Sequence, residues 1–140
     1  METKFMENRV TETKPSHAFI AASWVALLAG MVTYNAGLWN DEMPLYQKGY
    51  YFTFLMYGLF SAVSLQKSVR DQIEGIPVTP LYYGLAWFST LLTVLLLLVG
   101  LWHATLTLSE KGFYGMSFTL SLFAAIAVQK NTRDNKQFNA

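Results

Sequence analysis

The residues best equipped for chemistry form a charged set that occurs twice: Lys67, Arg70 and Asp71, then Lys130, Arg133 and Asp134. In a helical stretch, Lys67 and Asp71 stand four apart, as do Arg70 and Glu74, the spacing at which opposite charges meet along one stripe. Such a set can form ion pairs on a solvated helix end and touch anionic lipid headgroups, each exposed pair contributing a few tenths of a kcal/mol. It can also present a docking surface to a charged partner. These six residues are therefore candidate interaction residues.

The other polar residues suggest less. His17 and His103 fall at the ends of apolar stretches, which suits interfacial positions and not the two ligands of one haem. Asp41 and Glu42, near Lys48, could hold a cation loosely, but their counterparts are Ala104 and Thr105. Capping or flanking the next helix near Pro44 suits them better. Asn35, with Thr33 and Tyr34, is the most polar point of the first apolar stretch, and a helix–helix hydrogen bond is its expected use. No Asp or Glu lies at mid-depth in any apolar stretch, which argues against a proton-coupled exporter. The glycines Gly37, Gly49 and Gly58 lack the strand-turn-helix setting of a nucleotide loop. With no cysteine, disulfides, thiolate catalysis and thiolate metal sites are excluded. No catalytic residue, cofactor, metal or nucleic-acid partner is expected, and an enzyme is not.

The elements carrying these residues are duplicated. Gly37-Leu38-Trp39, Lys48-Gly49, Tyr51, Phe60, Gln66-Lys67 and Arg70-Asp71 return as Gly100-Leu101-Trp102, Lys111-Gly112, Tyr114, Phe123, Gln129-Lys130 and Arg133-Asp134, always 63 positions later. Trp24 and Trp87 obey the same offset. No gap is needed, so the chain is an internal duplication.

Charged residues make up 14% of the 140 residues and hydrophobic ones 53%. Soluble domains carry about a quarter charged residues, so much of this surface does not face water. Charge is absent from Ala18 to Asn40, Gly49 to Gln66, Thr79 to Ser109 and Gly112 to Gln129. Each stretch is long enough for a helix to cross a bilayer. The fourth is the weakest, with Ser117, Thr119 and Ser121 inside it; its match to the second supports it. The expected fold is all-α: an integral membrane four-helix bundle of two tandem two-helix repeats in parallel orientation. A polar, disordered cytoplasmic tail over 1–15 precedes a first repeat over 16–76, with helices at about 17–39 and 45–74. A second repeat over 77–135 has helices at about 80–103 and 109–134, and 136–140 form a tail. Gly75, followed by Pro77 and Pro80, stops the second helix.

With four crossings, eight Lys and Arg residues fall on the side of the tails and central connection and two, Lys48 and Lys111, on the other. The positive-inside rule then makes both termini cytoplasmic. Trp39, Lys48, Tyr51, Trp102, Lys111 and Tyr114 are expected to anchor the outer interface, aromatic rings at headgroup level and lysines snorkelling. Small residues mark helix contacts within lipid: the ridge Ala18, Ala22, Ala26 and Gly30, and the matched pairs Gly58 with Ala62 and Ser121 with Ala125. The second and fourth helices are thus expected to meet near the pseudo-axis. The ridge would pack within the bundle or across a homo-oligomer.

The doubled pattern Gly-Leu-Trp, Lys-Gly-[Tyr/Phe]-Tyr, Gln-Lys-x-x-Arg-Asp resembles the bacterial inner-membrane YiaA/YiaB family, built on a two-helix unit. The resemblance covers about residues 17–135. It implies a multi-pass inner-membrane protein of unknown biochemical role and brings no catalytic or ligand-binding residues to carry over. The expectation is a structural, interaction or envelope-accessory role, with the lipid bilayer and a membrane-protein partner or second copy as contacts. The alternative is a small transporter or channel component with a pathway between the repeats.

Overall fold

The structure, a computed structural model, describes residues 14–139; residues 1–13 of the tail expected over 1–15 lie outside the described residues. Four helices follow one another: α1 His17–Asn40, α2 Leu45–Ile73, α3 Pro80–His103 and α4 Leu108–Asn139. No strand occurs among the described residues.

Local chemistry sets the ends, and it is repeated. Ser16 and its counterpart Thr79 cap α1 and α3, their hydroxyls accepting from the Phe19 and Tyr82 amides at 3.1 and 3.3 Å. Each satisfies one of the amides that a helix start leaves unpaired. Pro80 adds a preset φ at the first turn of α3. The Thr107 hydroxyl caps the start of α4, accepting from the Glu110 amide at 3.2 Å. The α2 stop is a Schellman turn. Gly75 adopts φ +76°, its amide donates to the Gln72 carbonyl, and the Ile76 amide donates to that of Asp71.

The helices pair across the repeats and not within them. α1 packs mainly on α4, α3 mainly on α2, and α2 and α4 also meet each other. Helices of the same repeat barely touch. Exchanging the two repeats maps each of these contacts onto another, so the bundle keeps the symmetry of the duplication.

The bundle is inverted relative to a soluble protein. Phe19, Leu28, Phe60, Leu81, Leu91 and Phe123 are exposed, while Ser23, Ser68, Thr93, Ser117 and Ser121 are buried. That pattern suits lipid outside and close, hydrogen-bonded helix contacts inside. The buried hydroxyls bond mostly back to their own helix, as Ser121 does to the Ser117 carbonyl at 2.8 Å. Thr93 instead crosses from α3 to the Phe54 carbonyl at 3.0 Å.

Three helices are long and apolar enough to cross a membrane: α1, α3 and α4 over Leu108–Gln137. α2 falls short of that measure, although the fourth stretch looked weakest in the sequence. The cause is composition: α2 carries Tyr46, Tyr50, Tyr51 and Tyr57 together with Thr53, Ser61 and Ser64, whose polar atoms lower its mean hydropathy. Two of them, Tyr51 and Ser61, are buried against neighbouring helices.

Candidate functional site

The doubled charged set converges where α2 and α4 run past each other. Lys67 pairs with Asp71 at 2.8 Å and Arg70 with Glu74 at 2.6 Å, the two spacings of four along α2. Lys130 pairs with Asp134 at 3.0 Å along α4. The helices are then joined reciprocally. Arg70 binds the Asp134 carboxylate, and Arg133 binds that of Asp71 at 2.5 Å. Since 133 and 134 are the counterparts of 70 and 71, the two crossings are one contact made twice. Glu74 closes the cluster, accepting from Arg133 and from Gln137, its own counterpart, both at 2.7 Å.

Burial separates the members of this clasp. The side chains of Asp71 and Asp134 are 7% and 6% exposed, whereas Lys67 and Lys130 are 54% and 48% exposed. Four of the six candidate interaction residues therefore face one another, and only the lysines offer free surface. The Arg70 guanidinium, then Gln137 and Arg133, hold the Glu74 carboxyl down at about 2. Lys67 and Arg133 likewise lower that of Asp71 against the opposing effect of burial.

Next to the clasp lies a polar pair between α1 and α4. The Asn131 amide donates to the Ser23 hydroxyl at 3.1 Å, and that hydroxyl donates to the Phe19 carbonyl at 2.8 Å. Neither residue stood out in the sequence. The signal available was the alignment of copies, which sets Asn131 opposite Ser68 and Ser23 opposite Ala86.

At the other end, Tyr34, Tyr51 and Tyr114 form an aromatic cluster. Tyr51 stacks on Tyr114 with ring centroids 5.9 Å apart, and Tyr34 meets Tyr114 edge-on at 5.4 Å. The Tyr34 hydroxyl donates to the Tyr51 carbonyl at 2.6 Å. The Tyr114 hydroxyl donates to the Asp41 carboxylate. This corrects the expectation that Tyr51 and Tyr114 are interface anchors. They are 6% and 1% exposed, while their neighbours Tyr50 and Phe113 face outward. Adjacent helical residues point about 100° apart, so only one of each aromatic pair can face lipid. Trp39 and Trp102, each 81% exposed, have the exposure an anchor needs. Lys48 and Lys111 are half-buried. Lys48 donates to the Trp39 carbonyl at 3.1 Å and sits 5.9 Å from the centre of its ring.

The remaining candidates are placed as follows. Asp41 ends α1 and does not cap α2, whose cap position is Pro44. Asn35 donates to the Met31 carbonyl of its own helix at 2.8 Å, where a bond to another helix was expected. His17 and His103 are exposed as the first residue of α1 and the last of α3. No cluster of three metal-ligating side chains occurs among the described residues. Of the small residues, Gly30, Gly58, Ala62, Ser121 and Ala125 are buried, Ala26 is half-buried, and Ala18 and Ala22 are exposed. The buried face of α1 runs through Ser23, Gly30, Tyr34 and Leu38. Its steps are seven, four and four residues, so Gly30 belongs to that face while Ala18 and Ala22 lie off it.

The described pattern of two helices, repeated, matches a known family model. The yiaA/B two helix domain matches twice, over residues 19–71 and 82–134. The chain belongs to that family. Within it, the chain is similar to the inner membrane protein YiaA of Escherichia coli (strain K12), at 58% identity over 129 residues, covering 92% of this chain and 88% of the relative. No solved structure matches. Both domain matches end at the clasp, the first on Asp71 and the second on Asp134. Each two-helix domain thus contributes one arginine–aspartate pair to the junction.

Proposed function

We propose that this YiaA/B-family chain is a multi-pass bacterial inner-membrane protein with a structural or interaction role and no enzymatic activity. The two repeats stand parallel, each crossing twice, about a pseudo-two-fold axis along the membrane normal. Both termini and the Glu74–Thr79 connection are cytoplasmic, and the two short hairpin loops are outside. The observation that carries this reading is the reciprocal clasp, which gathers Lys67, Arg70, Lys130 and Arg133 at one end of α2 and α4. Lys48 and Lys111 lie at the start of the same helices. That asymmetry supports a cytoplasmic clasp by the positive-inside rule.

The clasp charges chiefly satisfy one another, which supports a structural use. A partner on the cytoplasmic side would meet the half-exposed lysines, not the arginines. A periplasm-active reporter fused after Ala140 is expected to be silent, and one inserted between Glu42 and Met43 to be active; the opposite pair of results would overturn the orientation. In-cell crosslinking through Lys67 and Lys130 tests for a protein partner. A defined partner, lost when both lysines are changed to Gln, is the expected result of an interaction role.

A further inference from the structure

A cleft of about 220 Å³ opens between α2 and α3, lined by the hydroxyl-bearing residues Tyr57, Ser61, Ser64, Tyr82 and Ser89. Its rim residues Phe60 and Leu85 are exposed on the bilayer side, at 73% and 52%. Duplication makes this cleft informative, because the equivalent place between α4 and α1 carries Leu120, Ala124, Ala127, Phe19 and Ala26. All five hydroxyl positions are apolar in the other copy. There the helices are instead tied by Ser23 and Asn131.

One hydroxyl in the cleft lacks a partner. Ser61 is 2% exposed, yet its Oγ makes no hydrogen bond. Ser23, Ser68, Ser117 and Ser121 are equally buried, and each donates to the carbonyl four residues back. A buried hydroxyl left unpaired costs free energy, and within lipid no bulk water is present to satisfy it. Ser61 thus keeps an unused donor beside this cleft.

Tyr82 also borders a second hollow, of about 370 Å³, lined by Lys67, Asp71, Pro77, Val78 and Thr79. The Asp71 carboxylate there is already bound by Lys67 and Arg133, while Lys67 keeps more than half of its surface free. Ser64 lies three residues, about 4.5 Å, along α2 from Lys67. Lys67 thus stands at the Gly75 end of the hydroxyl cleft, and the apolar rim flanks the hydroxyls at their own depth, Phe60 beside Ser61 and Leu85 between Tyr82 and Ser89. A cation at one end of a row of hydroxyl donors, beside an apolar bilayer-facing rim, matches the phosphate, esters and acyl chain of a glycerophospholipid.

We infer that the α2–α3 cleft is a binding site for one anionic glycerophospholipid, with Lys67 on the phosphate, the hydroxyls of Ser61, Ser64 and Ser89 donating to the ester carbonyls, and an acyl chain along Phe60 and Leu85. The inference rests on the membrane reading but not on the orientation, because binding to purified protein does not depend on which end is cytoplasmic.

The test is native mass spectrometry of the full chain in detergent, titrated with phosphatidylglycerol or phosphatidylcholine. The variants are S61A/S64A/S89A, which installs the other copy's residues, and, separately, K67Q. Wild-type protein should hold one phosphatidylglycerol above the level seen with phosphatidylcholine. K67Q should abolish that preference, and each serine removed should weaken retention about fivefold. S61A alone serves if the triple variant loses its helical circular dichroism. Equal retention of the two lipids by wild type, or unchanged phosphatidylglycerol retention in the serine variants, would overturn the proposal.

Discussion

Gly30 shows how narrowly the α1–α4 contact is set. A Cβ at Gly30 would come 2.5 Å from the Ser121 hydroxyl and 3.0 Å from the Ser121 amide nitrogen. The second of these is backbone and cannot swing away. Gly30→Ala should therefore lower stability by about 1–3 kcal/mol, the usual cost of overpacking, read as a lower Tm in detergent. Gly49→Ala, with open space around the new Cβ, should leave Tm at or above the wild-type value, since alanine is the better helix former. A Gly30→Ala protein as stable as wild type would mean that α1 does not approach α4 so closely. Tyr114→Phe tests the other end. It removes the hydroxyl bound to Asp41 while keeping the stack on Tyr51, and should cost about 1 kcal/mol.

At the scale of the helices, the clasp predicts both a coupling and a pH dependence. Arg70→Ala leaves the 6%-exposed Asp134 side chain with Lys130 alone and should cost about 2 kcal/mol. The cost of Asp134→Ala added to it should be much smaller than that of Asp134→Ala by itself, because the two share one interaction. Strict additivity in that double-mutant cycle would contradict the crossing. For pH, the folded state holds Glu74 at about 2 against an ordinary 4.5 and holds Asp71 low as well. A depressed carboxyl binds its proton less readily when folded, so its stabilisation is complete above pH 4.5 and is lost as pH falls toward 2. Tm in detergent should be flat from neutral pH to about 5 and fall below it; in Glu74→Gln the fall should be smaller. The helices themselves were legible in the sequence. The 63-residue offset, the uncharged stretches and Gly75 with its prolines lead to four helices and to the α2 stop. Tyr51 and Tyr114 were not legible as core, because in a Lys-Gly-aromatic-aromatic run either ring could face inward. The crossing of Arg70 to Asp134 was hidden too, since spacing within α2 reveals only the partners on α2.

For the whole molecule, the cross-repeat pairing means that neither two-helix repeat has its main packing partner within itself. The small residues of the sequence indicated that helices meet closely, and the duplication indicated that contacts come in pairs. Neither could say whether α1 takes α2 or α4, because a closed hairpin would satisfy both. Separate expression of residues 1–76 and 77–140 should therefore give halves that are degraded alone and recovered as a stoichiometric complex when made together. The most direct measurement of this interlocked arrangement uses the absence of cysteine from the chain. Ser23 and Asn131, hydrogen-bonded at 3.1 Å between α1 and α4, are replaced together by cysteine, and intact membranes are treated with a short bis-methanethiosulfonate linker. The chain is then cleaved in the Glu74–Thr79 connection at an inserted protease site. The interlocked bundle predicts that the two halves remain joined until the linker is reduced; halves that separate without reduction would contradict it.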